Sequence, residues 1–167
     1  MVYTQAYTDG ACRGGNPGQC SCAFVVMQGL TLIFDHSRYL GPELHTNNYA
    51  EYQGLLDLLS WANLHKVRNL EIYSDSSLIV NQVRGRWKVN KEDLKPLCHT
   101  ATALFIRGGH TLHLIKGHDG NVGNEHADRL CNRILDMTEK APKVQTLSIM
   151  SSPQTEYLKG VSNESSK

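Results

Sequence analysis

Four acidic residues stand where an acid is awkward. Asp9 closes a run rich in Tyr, Thr and Val, and Asp75 closes a short strand-like run from Leu70 to Ser74. Glu51 shares a helical stripe with Leu55, Leu58 and Ala62, and Asp128 shares one with Cys131 and Leu135. A partly buried carboxylate requires a cation or hydrogen-bond donors beside it. Three and four residues either side of Glu51 lie Asn47, Asn48, Gly54 and Leu55. Around Asp128 lie Asn124, Glu125, Cys131 and Asn132. No lysine or arginine is among them, so a helix-surface ion pair is closed to both acids. A shared divalent cation would satisfy the whole set. An all-oxygen site without His or Cys suits Mg²⁺ or Mn²⁺ better than zinc.

Taken singly, each acid has a plainer explanation. Asp9-Gly10 is a turn dipeptide. Asp75, before Ser76-Ser77-Leu78, is a helix cap. Glu51 complements a helix dipole and Asp128 is a surface acid. Jointly the four weigh more, because two strand ends and two helices can gather them into one cluster, and such a cluster is poor structural design without a metal. A second signal is a basic segment: Arg84, Arg86, Lys88, Lys91 and Lys95, with Trp87 among them and only Glu92 and Asp93 opposing. Such a segment is either a solvated loop or a surface for a phosphate backbone.

Periodicity supplies the framework. Residues 2–8, 20–27 and 30–39 read as three strands with short connections, hence an antiparallel meander. Thr46 is an N-cap for a helix over 47–63, where Tyr52, Leu55, Leu56, Leu59 and Ala62 recur at helical spacing. A short strand at 70–74 precedes a helix at 76–83, capped by Asp75 or Ser76. A helix at 92–106, a strand at 110–115, a turn at 117–123 and a helix at 124–137 follow. The order βββαβααβα predicts an α/β domain over residues 1–140, a mixed sheet with helices on its faces. The period fails after Pro142, so 141–167 reads as a mostly disordered tail.

Composition sets bounds. With 167 residues, 40% hydrophobic and 20% charged, the chain can bury one core. Net charge is +1, and charges up to Lys140 balance, so any attraction to nucleic acid must be local. No apolar run crosses a bilayer and no secretory leader is visible, so no membrane partner and a cytoplasmic location are expected. Five cysteines, an odd number, suggest reduced thiols in a cytosol-like compartment. No paired ligand spacing points to zinc, and His110 and His113 should face opposite sides of a strand. No apolar stripe is left over for an interface, so a monomer is the default.

Five short motifs now fall into register. Thr8-Asp9-Gly10-Ala11, then Asn16-Pro17-Gly18, resembles the first motif of ribonuclease HI. Thr46-Asn47-Asn48-Tyr49-Ala50-Glu51-Tyr52 resembles the second and Tyr73-Ser74-Asp75-Ser76 the third. Lys116-Gly117-His118-Asp119-Gly120 and Gly123-Asn124-Glu125-His126-Ala127-Asp128 resemble the fourth and fifth. The resemblance covers most of residues 3–137. It implies a five-stranded sheet with helices on both sides, and a metal set of Asp9, Glu51, Asp75 and Asp128. It further implies an endonuclease that hydrolyses the RNA strand of RNA–DNA hybrids with two Mg²⁺ ions, Mn²⁺ as a substitute. The products would carry 5′-phosphate and 3′-hydroxyl ends. The mobile loop histidine of the family maps onto His118, a group suited to proton handling. Asn16, Asn47 and Ser76 become candidates for minor-groove and sugar contacts, and Thr46 for a DNA phosphate. Double-stranded RNA is a second candidate partner.

Some positions depart from the family pattern. Ser77 stands where many relatives carry Gln, Gly14-Gly15 looks like an insertion, and Gln19-Cys20-Ser21-Cys22 replaces a more Gly-rich stretch. The stretch 83–92 is too short for the extra basic helix that many relatives carry, which resembles the handle-less branch of archaea and some bacteria. Arg84, Arg86, Trp87, Lys88 and Lys91 are left to take its place. The competing reading is a non-catalytic nucleic-acid-binding module on the same fold.

Overall fold

The strands of a meander pair with their neighbours because β-rich runs joined by short turns have nowhere else to place their backbone hydrogen bonds. The computed structural model describes residues 4–117 and 120–140; His118 and the tail expected at 141–167 lie outside the described residues. The meander comprises β1 (Thr4–Arg13), β2 (Gln19–Gln28) and β3 (Thr31–Tyr39). It is followed by α1 (Asn47–Leu64), β4 (Glu71–Ser74), α2 (Ser77–Val83), α3 (Lys95–Gly108), β5 (Thr111–Leu114) and α4 (Val122–Lys140). One sheet runs in the order β3-β2-β1-β4-β5. The pairs β1–β2 and β2–β3 are antiparallel, and β1–β4 and β4–β5 are parallel. The expected order of elements and the mixed sheet are both found.

Alternation along the strands makes two apolar faces. Ala6, Phe24 and Val26 pack with Tyr52, Leu55 and Leu59 of α1 and with residues of α2 and α3. Tyr7, Val25 and Met27 pack on the opposite side with Ala127 of α4. The sheet is thus covered on both faces.

Four expectations are corrected. The strand at 2–8 was expected to stop at Asp9-Gly10, but β1 continues to Arg13. The cause is long-range: β2 pairs along its whole length, with Asp9 opposite Ala23 and Cys12 opposite Cys20, and ladder bonds outweigh a turn preference. The cysteines are not all reduced: Cys12 and Cys20, cross-strand neighbours with Cα atoms 4.0 Å apart, form a disulfide. Cys22, Cys98 and Cys131 are free and buried. The helix expected from 92 begins at Lys95, where Pro96 fits a first turn that has no use for its missing N–H. The helix expected from 124 begins at Val122, because the Asn121 side chain accepts from the Asn124 N–H at 3.2 Å and caps it there.

The approach of α1 to β1 depends on two glycines, one on each element. A Cβ on Gly10 of β1 would collide with the Glu51 backbone amide. A Cβ on Gly54 of α1 would lie 2.7 Å from the Asp9 carbonyl and 3.1 Å from that of Ala23. Thr46 fixes the start of the same helix, its hydroxyl accepting from the Tyr49 N–H at 3.2 Å. Helix propensity alone would make Gly54→Ala stabilising by about 1 kcal/mol. The close approach reverses the sign: Gly54→Ala should cost about 1–3 kcal/mol, read as a lower urea midpoint at an unchanged m-value.

Candidate functional site

The register of the sheet places two of the four acids side by side. Tyr7 of β1 is level with Tyr73 of β4; two residues further on stand Asp9, still in β1, and Asp75, just past the end of β4. The close approach of α1 brings Glu51 to the same place. Carboxylate oxygens of Asp9, Glu51 and Asp75 all lie within 4.8 Å of one another. Asp9 is 8% exposed, and Glu51 and Asp75 are half-buried as residues. The Glu51 Oε2 is itself cut off from solvent and has no hydrogen-bond partner. The Gly10 N–H is the one donor that favours its charged form; burial first, then the charges of Asp9 and Asp75, hold the Glu51 carboxyl well above the usual carboxylate range. Two unit charges at that separation repel by about 3 kcal/mol at an effective dielectric of 20. The cluster gathers carboxylate oxygens alone, and one of them, the buried Glu51 Oε2, has no hydrogen-bond partner. That is a fit for a hard divalent cation.

Asp128 stands beside this group, not within it. Cys131, one turn further along α4, has its thiol 3.6 Å from the Asp9 carbonyl, which sets that stripe of α4 against β1. The Asp128 carboxylate accepts from the Asn132 side-chain amide at 2.9 Å. It therefore has a local donor, which the absence of a neighbouring lysine or arginine did not suggest. The signal was in the sequence, since an Asn four residues after an Asp on a helix can bond to it.

The sequence reading also missed Asn124 as a site residue. It is 5% exposed at the start of α4, and its Nδ2 donates to the Asp75 Oδ2 at 3.3 Å. Its own Oδ1 is buried without a partner. Ser74 is a further support: its hydroxyl accepts from the Ser76 N–H at 3.1 Å and shapes the turn that carries Asp75.

The residues expected to touch substrate form two groups. Asn16 and Asn47 are exposed and adjacent, the Asn16 Oδ1 accepting from the Asn47 N–H at 3.0 Å. Thr46 precedes them as the cap of α1. Ser76 caps α2, accepting from the Ile79 N–H at 3.4 Å, so the cap is Ser76 and not Asp75. In the second group, Arg86, Trp87 and Lys88 are exposed, Trp87 by 50%. Arg84 is not part of that surface, because its guanidinium donates to the Leu112 carbonyl of β5. Among the described residues no helix separates α2 from α3, so the basic segment is a loop.

The raised Glu51 carboxyl has a testable sign. A carboxyl held above its unfolded value contributes stability below that value and loses it as pH rises through the folded one. Without divalent ions, Glu51→Gln should therefore gain stability over the parent protein as pH rises from 4.5 towards 8, by on the order of 1 kcal/mol. Added Mg²⁺ should raise the melting temperature of the parent and close the gap. Thermal melts at several pH values, with chelator and with Mg²⁺, check both statements.

The family model described as RNase H matches residues 2–135. A ribonuclease H from Verminephrobacter eiseniae is 32% identical over 150 residues, spanning 81% of this chain and 92% of that protein. Among solved structures, RNase H1 from the halophilic archaeon Halobacterium salinarum is 31% identical, with a TM-score of 0.71 over 81% of this chain and 98% of that one. LC11-RNase H1, solved in complex with an RNA/DNA hybrid, is 28% identical, with a TM-score of 0.71 over 81% of this chain and 99% of that one. A mixed sheet in this order, three converging acids and a family model spanning both lead to one conclusion: the chain belongs to the ribonuclease H family, its structural likenesses are type 1 members, and it is an endoribonuclease.

Proposed function

We propose that the chain hydrolyses the RNA strand of RNA–DNA hybrids, leaving 5′-phosphate and 3′-hydroxyl ends. The observation that carries this reading is the convergence of Asp9, Glu51 and Asp75 within 4.8 Å, with a buried, unpartnered Glu51 oxygen among them. The hybrid bound by LC11-RNase H1 supports the choice of substrate.

The carboxylates of Asp9, Glu51 and Asp75 would hold divalent ions, with Asp128 completing the set from α4. Two Mg²⁺ ions, or Mn²⁺ in their place, would supply activation of water and neutralisation of charge at the leaving 3′-oxygen. The protein's own groups do the rest. Asn124 orients the Asp75 carboxylate by its 3.3 Å hydrogen bond. His118 takes or delivers the proton that hydrolysis moves. The neighbouring amides of Asn16 and Asn47 read a 2′-hydroxyl in a wide minor groove, and Ser76 contacts a sugar. Thr46 meets a phosphate of the DNA strand, while Arg86, Trp87 and Lys88 grip the backbone further along. Such contacts carry no base information, so sequence preference is slight and affinity falls with salt. On this reading the enzyme acts as a monomer in the cytoplasm; no described helix is long and apolar enough to cross a membrane.

The test is cleavage of an end-labelled RNA–DNA hybrid, with duplex RNA and duplex DNA beside it, in Mg²⁺, Mn²⁺ or chelator. The parent protein should cut the RNA strand of the hybrid only with a divalent ion. Asp75→Asn should lower kcat by about a hundredfold or more, since even outer-shell partners of a metal are worth roughly 10–100-fold. Retardation of the hybrid without cutting would favour a binding module, and equal cutting of duplex RNA would broaden the substrate.

A further inference from the structure

Gln82 is a buried polar side chain that the metal centre does not use. It is 8% exposed in the last turn of α2. Burying an amide is costly unless its hydrogen bonds are made. Both ends of this one are bonded. Its Oε1 accepts from the Tyr52 hydroxyl at 2.8 Å, and Tyr52 is fully buried in the core of α1. Its Nε2 donates to the Lys88 carbonyl at 3.2 Å. One side chain thus ties the core to the backbone of the exposed loop that follows α2.

The loop is shaped around that tie. Gly85 turns the chain at a φ of 72°, a left-handed conformation that costs glycine nothing. The Arg86 and Trp87 N–H groups then both donate to the Asn81 carbonyl, at 2.8 and 3.1 Å. Those bonds fold the first half of the turn back on α2. Its far side is held at the Lys88 carbonyl by Gln82, with Val89 packed against the core just beyond. Arg86, Trp87 and Lys88 project from between these anchors. The seven residues of α2, with a rise of about 10 Å, separate Asp75 from this turn along the chain.

We propose that Gln82 is a positioning residue for substrate binding. By joining the Tyr52 hydroxyl to the Lys88 carbonyl, it holds Arg86, Trp87 and Lys88 in the arrangement in which they meet the sugar–phosphate backbone. The inference rests on the reading of this loop as part of the hybrid-binding surface. A loop already ordered does not have to be ordered on binding, which spares affinity. The acids are held by β1, α1 and β4, so loosening the loop affects binding and leaves the chemical step alone.

The test is steady-state cleavage of a hybrid by the full chain with Mg²⁺, in four variants beside the parent. Gln82→Met keeps the volume and removes both hydrogen bonds. It should raise KM roughly three- to tenfold at unchanged kcat, and lower the melting temperature because the Tyr52 hydroxyl loses its amide acceptor. The double variant Tyr52→Phe/Gln82→Met removes that hydroxyl too. It should recover melting temperature while KM stays raised, and it stands in if the single variant does not fold. Arg86→Ala and Lys88→Ala should raise KM and reduce the slope of its salt dependence. If KM returns to the parent value together with melting temperature, Gln82 is structural only and the proposal is overturned. If Arg86→Ala and Lys88→Ala raise KM but neither Gln82 variant does, the loop binds the hybrid and Gln82 does not position it. If Arg86→Ala and Lys88→Ala leave KM unchanged, the reading of the loop fails, and the positioning role fails with it.

Discussion

Mutual repulsion among three carboxylates is the constraint around which this domain is arranged. Asp9, Glu51 and Asp75 are held within 4.8 Å of one another by elements that are stable for other reasons. β1 is paired on both sides, and α1 is packed across it through Gly54. The cluster cannot relax without losing core contacts of Tyr52, Leu55 and Leu59. The sheet and α1 therefore offset the cost of a site that is unfavourable until a cation enters. Local destabilisation at a functional centre, compensated by packing elsewhere, is a common result of such arrangements.

The supports of the site are graded by distance from the chemistry. Asn124 and Ser74 act on the position of Asp75, and Asn132 acts on Asp128. Each is neutral. A lysine or arginine in any of these places would cancel the charge that a divalent ion requires. Further out, Asn16 with Asn47 and the loop from Arg86 to Lys88 present donors and one exposed aromatic ring on a chain whose net charge is only +1. Attraction to a polyanion is local here, a matter of where the cations stand and how firmly.

Features set by neighbours along the chain were legible in the sequence, and most of those set by pairing across the sheet were not. The Thr46 cap follows from a hydroxyl before an apolar helical stripe, and the order of nine elements follows from periodicity. Asp9-Gly10 reads locally as a stop, yet pairing with β2 carries the strand through it. The Cys12–Cys20 disulfide is invisible until the hairpin register sets the two residues opposite each other. Three of the four acids converge as their awkward settings foretold. The position of Asp128 beside the group, with Asn132 as its donor, depends on how α4 lies across the sheet. Gln82 gave no signal, because Tyr52 reaches it only in the fold and its other partner is a backbone carbonyl, that of Lys88.

The central claim is that a divalent cation sits among Asp9, Glu51 and Asp75. Anomalous diffraction from crystals soaked in Mn²⁺ tests it most directly. The account requires a peak bounded by those three carboxylates and absent from a Glu51→Gln crystal treated alike. Strong anomalous density elsewhere with none among the three acids, or a lysine or arginine side chain seated in their midst, would contradict it.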